Sequence, residues 1–472
     1  MNKKKWSQKN TIVAALLVCT LSGAGIGYMM PHFQNTNVEG MEKIETVYSI
    51  LKDKWYYADQ VENIEEVLTE QALMGMTSLV QDPHTNYFDL EQAKIFQQSL
   101  AGSQVGAGFT YYVQDDGNLV VQDVFVRSAA EDAGMKKGDI ITVVGNKICS
   151  QTPTEEIISY IQSQDGKEIP LHILRNDELK QLYVTPREFD SSVICNMYEG
   201  YGEIILSSFS QYSGEDFAHA VQRLEDNGID KLLLDLRGNT GGYLFSAIDV
   251  SSSLLPKKSI VFEEHEKDGK VIKNKVNKEY TPVEFEQIVI LQDERTASAA
   301  EVLIGALKDN LGDIVTTVGT TTYGKGTEQV NLPFEDGTHL KYTTAQWKTP
   351  LGHSINEVGF EPDIEVENAS VYSAQYVEMT DDEIIEPDTV HVNGQAIQLF
   401  LQYLGYDVDR TDTYFSEKSS AEVRKFQQEN GLSVTGNVDK KTWTRLESEV
   451  RSKLNQNRLK EDQQRNRAIE QF

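Results

Sequence analysis

Apolar positions follow three rhythms along the chain. Between residues 39 and 80 they recur at helical spacing, as Ile44, Val47, Tyr48, Leu51 and Trp55, then Val67, Leu68, Ala72, Leu73 and Met76. Residues three and four apart share a helix face, so this spacing predicts helices within 39–100. The segment "QDPHTNYF" (81–88) reads as a Pro-containing turn. From about 101 to 187 short alternating runs are separated by glycine turns, with a hairpin signal at Asp116-Gly117. One small β-rich module fits this stretch.

Over 188–370, buried-type strands ("GEIILSSF", "KLLLDLRG", "QIVILQD", "DIVTTVG") alternate with helical patterns ("SGEDFAHAVQRLEDNG", "YLFSAIDVSSSLL", "SAAEVLIGALKDN"). Continuous apolar strands between helices predict an α/β layer structure. Residues 371–388 are acidic and irregular and read as a linker. A compact helical unit follows at 389–448. The polar tail, 449–472, reads either as a solvated helix or as a disordered segment.

The first 38 residues change the picture. A basic start, "MNKKKWSQKN", precedes the 20 uncharged residues 11–30. That run is long enough to span a bilayer, with its basic end on the cytoplasmic side. A single-pass anchor is the preferred reading over a cleaved signal, because the run is long for a signal and lacks a small-x-small site. Either way the rest of the chain works outside the cytoplasm. The formal net charge of −29 argues against non-specific nucleic-acid binding, which requires neutralising phosphates. Cys19, Cys149 and Cys195 include no CxxC and no zinc-type spacing, so free or buried thiols are expected and no metal or cofactor is implied.

Three segments can carry chemistry. In "RTASAAEVLIGALKDN" (295–310), Ser298 with Glu301 three residues on is a capping box, yet the same position could present a nucleophile at a helix start. A serine hydroxyl needs a base. The scattered histidines His84, His172, His353 and His391 offer none in a recognisable pattern. A neutral lysine is the alternative, and lowering its pKa from about 10.4 to about 7 costs roughly 4–5 kcal/mol. Lys325 in "TTYGKGTEQV" is the candidate, because flanking glycines permit close approach, no other basic residue is expected nearby and Gln329 can orient an amine without adding charge. A solvated lysine on a glycine turn fits the pattern as well. The third segment, "LDLRGNTGGYL" (234–244), ends a buried strand in a tight loop. Its amides could hold an oxyanion, or it could be an ordinary strand-to-helix turn; it lacks the GKS/T ending of a P-loop.

These segments, in order with "DPHTNYF", "GEIILSSFS" and "LKYTTAQWKTPLGHSINEVGFEPDI", resemble the C-terminal processing, or tail-specific, serine peptidases over residues 40–370. The resemblance implies a multidomain α/β protein: a peptidase core with crotonase/ClpP-like layers, an inserted PDZ domain, N-terminal helices and a C-terminal three-helix domain. It implies that Ser298 is the nucleophile, Lys325 the base and Gln329 its support, with oxyanion amides near Gly241, Gly242 and Ala299. Ala300 stands where many relatives carry a second serine. "VGAGF", that is Val105, Gly106, Ala107, Gly108 and Phe109, looks like the PDZ carboxylate loop, with Val105 and Phe109 lining the side-chain pocket. Departures are the 27-residue spacing from Ser298 to Lys325, NTGG in place of NPGG, and Gln162 where relatives often have Arg. Residues 389–448 resemble a three-helix peptidoglycan-binding domain.

The expected function is a membrane-anchored extracytoplasmic serine endopeptidase. It would act on protein substrates with accessible C-termini, without cofactor, with peptidoglycan contact and homodimer formation through the N-terminal helices. The alternatives are a catalytically inactive cell-wall scaffold and a crotonase-like hydratase, which would need an acyl-CoA pocket and a carboxylate pair.

Overall fold

The computed structural model describes residues 40–472 apart from Asp115 and Ser373. The apolar run at 11–30 lies outside the described residues. Among these, no helix is long and apolar enough to cross a membrane. The chain divides into two compact units after Ser78. In the first, Gly40–Lys54 and Ile64–Thr77 are helices, as their spacing predicts, and Lys52 pairs with Glu65. Neither helix buries a residue; Ile44 and Val47 on the predicted apolar face stay exposed.

The second unit is built on a six-stranded sheet. Its strands lie in the order Val193–Tyr198, Tyr201–Leu206, Lys231–Asp235, Gln287–Gln292, Val315–Gly319 and Ile364–Glu365. The first pair is antiparallel and the rest are parallel. Side chains alternate strictly between faces, as the strand period of two requires. Leu232, Leu234, Ile288 and Ile290 face the helices Ser213–Asp226, Leu244–Ser252 and Ala299–Leu311. Leu233, Val289 and Leu291 face the other way.

That second face is covered by the extreme tail. The helix Gln463–Ile469 lays Ala468, Ile469 and Phe472 on it, and Phe472 stacks on Tyr201 at 5.4 Å. Arg465 Nε donates to Glu203 at 2.6 Å, with the two side chains only 4% and 2% exposed, and Arg465 Nη2 donates to the Tyr201 hydroxyl. The helical expectation for 449–472 therefore holds, while disorder, and solvation of its end, need correction. The third helix of the C-terminal unit runs on to Glu461, and the residues after it are packed helix rather than solvated or disordered. The periodicity of so short a segment is masked because it buries an arginine and a glutamine.

A second sheet joins Asn86–Phe88, His339–Lys348, Ile260–Glu266 and Val271–Lys275, with Thr327–Pro333 paired to His339–Lys348. Residues 103–190 hold the β-rich module: a six-stranded sheet around Leu119, Ile141, Leu171 and Ile173, covered by the helix Thr154–Ser163. The ladder between Ser103–Gly106 and Arg187–Asp190 closes its base. In the C-terminal unit the helices Gly394–Leu404, Glu417–Glu429 and Lys440–Glu461 pack around Phe400, Phe426 and Trp443. Residues 371–388, expected as a linker, belong to this core. Val371, Met379 and Ile385 are buried in it, and Ile384–Ile385 pairs with Val438–Asp439. Cys149 and Cys195 are free and buried.

Removing one partner of a buried ion pair costs about 3–5 kcal/mol, because the other charge is left uncompensated. Arg465→Met should therefore lower the calorimetric melting temperature of the core, and adding Glu203→Leu should recover most of the loss. Equal loss in the single and double variants would show that the tail is not held by this charge pair.

Candidate active site

The strand Gln287–Gln292 ends in a turn that is stapled to the neighbouring glycine loop. Asp293 Oδ1 accepts the Gly238 amide at 2.9 Å, Thr296 Oγ1 donates to Leu236 O at 2.9 Å and the Ala297 amide donates to Asn239 O at 2.9 Å. The turn delivers Ser298 to the start of the helix Ala299–Leu311 with φ +57° and ψ −118°. An ordinary N-cap has extended backbone angles. A non-glycine residue in this region is strained, and such strain concentrates at functional sites. Ser298 is 8% exposed.

Glu301 supplies more than a cap. Its carboxylate is fully buried, and Oε2 accepts both the Ser298 amide at 2.8 Å and the Lys325 amide at 2.9 Å. Oε1 accepts the Thr322 hydroxyl at 2.6 Å and the Gly324 amide at 2.7 Å. Burial raises its pKa, against these four hydrogen bonds. One side chain thus ties the backbone of the candidate nucleophile to that of the candidate base.

The glycines around Lys325 are there for close approach. A Cβ on Gly324, at φ +84°, would meet Gly359 N at 2.7 Å, and one on Gly326 would meet the Asn356 backbone at 2.9 Å. The Lys325 carbonyl accepts Trp347 Nε1 at 3.0 Å. Its amine has no hydrogen-bond partner among the described residues and its pKa is lowered to about 8. Burial is the main cause and the Lys341 charge adds to it, while Glu301 and Asp82 oppose. The expectation of no basic neighbour is corrected here. Lys341, 16 residues on, folds back through the hairpin of Thr327–Pro333 with His339–Lys348 and stands over the Phe88 and Phe96 rings at 5.2 Å. Gln329 is in the same hairpin. Its Nε2 donates to Thr327 Oγ1 at 2.9 Å and Thr343 Oγ1 at 3.2 Å, and no hydrogen bond joins it to Lys325.

The glycine loop reaches the serine. A Cβ on Gly241, at φ +100°, would lie 2.9 Å from Ser298 Cβ and 3.0 Å from Ala299 N. The Gly241 amide itself donates to Asn239 Oδ1 at 2.9 Å. Among the described residues, no hydrogen bond engages the amides of Gly242 and Ala299. Of the three expected oxyanion donors, these two are the ones available.

In the β-rich module, Gly108 takes φ +88° and its carbonyl accepts Phe125 N at 3.0 Å and Ser128 Oγ at 3.1 Å. Ala107 and Phe109 belong to the module's apolar cluster. Val105 does not; it stands 41% exposed in the ladder opposite Glu188, so the structure does not bring it to a shared pocket with Phe109. Gly106 ends that ladder. Among the described residues the strand Phe109–Val113 pairs with Leu119–Val124 and with no other strand, and the helix Lys440–Glu461 approaches it.

Sequence reasoning passed over Lys341, Thr343 and Asp82, which faces Lys325 from the 81–88 turn. The only signal was that the "DPHTNYF" segment sits within the family-like series.

Known proteins resemble the chain along most of its length. The family model "Peptidase family S41" matches residues 200–366, a PDZ domain model matches 120–175 and a peptidoglycan-binding domain model matches 393–446. The "Carboxy-terminal processing protease CtpB" of Bacillus subtilis (strain 168) is 32% identical over 426 residues, 88% of this chain and 86% of that protein. A "Probable CtpA-like serine protease" of Staphylococcus aureus (strain COL) is 30% identical over 434 residues, 92% of this chain and 86% of that protein. The chain therefore belongs to peptidase family S41, the carboxyl-terminal processing serine peptidases, and carries a PDZ domain beside its peptidase core.

Proposed function

We propose that the protein is a membrane-anchored, extracytoplasmic endopeptidase that captures a substrate's carboxyl terminus in its PDZ domain and cuts the chain with a Ser298–Lys325 dyad. The observation that carries this reading is the single oxygen, Glu301 Oε2, that accepts both the Ser298 and the Lys325 amides. Ser298 Oγ attacks the scissile carbonyl carbon and its proton passes to neutral Lys325 Nζ. The ammonium then gives that proton to the leaving amine, and water hydrolyses the acyl-enzyme with Lys325 again as base. The amides of Gly242 and Ala299 receive the oxyanion. Gly241 allows the loop to approach Ser298, and Gln329 orients Lys325.

The edge of Phe109–Val113 that pairs with no strand among the described residues suits addition of a substrate strand, with the amides from Gly106 to Phe109 meeting its carboxylate. The basic start and the apolar run at 11–30 support work outside the cytoplasm. Wall contact through 393–446 is consistent with that location. The helices Gly40–Lys54 and Ile64–Thr77, which bury none of their residues, serve homodimer formation in this reading.

With an unstructured protein bearing an apolar carboxyl terminus, Ser298→Ala and Lys325→Ala should each cut cleavage on the order of 10³-fold or more. Cleavage that survives Ser298→Ala would sink the mechanism. A base must be neutral to accept a proton, so kcat/KM should rise with pH through about 8 and plateau above it. Lys341→Gln removes a like charge, which raises the Lys325 pKa and should move that limb to higher pH. Glu301→Gln leaves one acceptor oxygen for four donors. At about 1.5–3 kcal/mol for each charge-assisted bond lost, both thermal stability and turnover should fall, the latter by roughly 10²-fold or more.

A further inference from the structure

The turn at 81–88 has no part in the dyad reading, yet its acidic side chain is wired to it. Asp82 Oδ1 accepts the Thr343 hydroxyl at 3.1 Å and the His84 amide at 3.1 Å, and Oδ2 accepts the Thr85 hydroxyl at 2.5 Å. The Thr343 amide in turn donates to Thr85 Oγ1 at 3.1 Å. Pairing of Asn86–Phe88 with His339–Lys341 fixes the turn beside this hairpin. Burial works against the Asp82 charge, but the bonds from Thr85, Thr343 and the local amides hold its pKa below the usual value, so it stays ionised.

An ionised carboxylate only accepts. Thr343 has one hydroxyl proton, and it is given to Asp82. Thr343 can then only accept from Gln329, so the Gln329 NH₂ must face it, as it faces Thr327. Both amide protons are thereby used, and Gln329 Oε1 accepts no hydrogen bond among the described residues. A lysine amine offers protons, and an amide oxygen is the group that can receive one.

We propose that Asp82 is a positioning residue of the peptidase: through the Thr343 hydroxyl it sets the polarity of the Gln329 amide so that Oε1 is presented to the Lys325 amine. The inference rests on the Ser298–Lys325 reading and adds the 81–88 turn to its machinery. Asn at 82 can donate to Thr343, which reverses the relay and lets Gln329 turn its NH₂ toward Lys325. The charges around that amine are Lys341, Glu301 and Asp82, with His84 beside them. Losing the Asp82 charge and turning the amide both disfavour the ammonium, so both shift the pH profile the same way.

The test uses the full chain and one unstructured protein substrate. Asp82→Asn should lower kcat roughly tenfold or more, with KM little changed, and move the rising limb of the pH profile to lower pH. Thr343→Val keeps the Asp82 charge but breaks the relay; kcat should fall, and Thr343→Ser should restore it. In a Gln329→Ala background, Asp82→Asn should have little further effect on kcat. Parental kcat and pH profile in Asp82→Asn overturn the inference, as do additive losses with Gln329→Ala or failure of Thr343→Ser to rescue. Ser298→Ala and Lys325→Ala run alongside: if they abolish cleavage while Asp82→Asn and Thr343→Val behave as the parent, this inference alone fails. If Ser298→Ala still cleaves, the dyad reading fails first. Should Asp82→Asn not fold, the Thr343 pair decides.

Discussion

The arrangement around Ser298 and Lys325 depends on one buried carboxylate. Glu301 lies in the first turn of the helix that begins after Ser298, and its four hydrogen bonds reach back to that residue and across to Thr322, Gly324 and Lys325. Burying a carboxylate is costly unless its lone pairs are filled. Three backbone amides and one hydroxyl fill them, so the cost is offset only while both chain segments stay in place. Ser298 holds φ +57° within this clamp. Strain of that kind persists only when the surroundings over-determine it. Gly324 and Gly241 complete the constraint, because a side chain at either would push the base loop or the glycine loop away.

The clamp needs a rigid sheet behind it. Ser298 and the glycine loop both leave the carboxyl ends of adjacent parallel strands, where α/β folds place their sites. A parallel sheet must be covered on both faces. Helices cover one, and the last residues of the chain cover the other. Arg237, just ahead of Gly238, is bidentate to Asp235 and also bonds Asp462 at the foot of the tail helix. The tail therefore braces the strand end from which the glycine loop springs.

Much of this was legible in local pattern, and the rest was not for definable reasons. The strands "KLLLDLRG" and "QIVILQD" carry unbroken apolar runs, Leu232–Leu234 and Ile288–Leu291, because both faces are buried, and those runs predict the layered core. The glycines beside Lys325 announce close approach, although not to what; the partner proves to be the segment from Asn356 to Gly359. Glu301 was legible as a capping residue, and only its second oxygen and the amides across the loop reveal the clamp. Lys341, Thr343 and Asp82 were hidden, because strand pairing brings them together from distant positions and no periodicity records it. The tail was misjudged because it covers the sheet with an arginine, whose buried partner Glu203 lies 262 residues away. Residues 371–388 were misjudged because three buried side chains, widely spaced among acids, do not form a periodic pattern.

Carboxylates near Lys325 do not keep its pKa at the ordinary lysine value. A free carboxylate against the amine would keep it protonated. Glu301 and Asp82 are both close enough to push in that direction, yet the pKa is lowered to about 8. The lone pairs of both acids are directed at other donors: backbone amides and a hydroxyl for Glu301, threonine hydroxyls and an amide for Asp82. Neither forms a hydrogen bond with the ammonium, so only their through-space attraction remains to oppose burial and the repulsion of Lys341. Their charges still favour the ammonium form of Lys325. In the proposed dyad the base must be neutral before reaction and tolerated as a cation during it, and acids held near the amine with their oxygens given other partners suit both conditions.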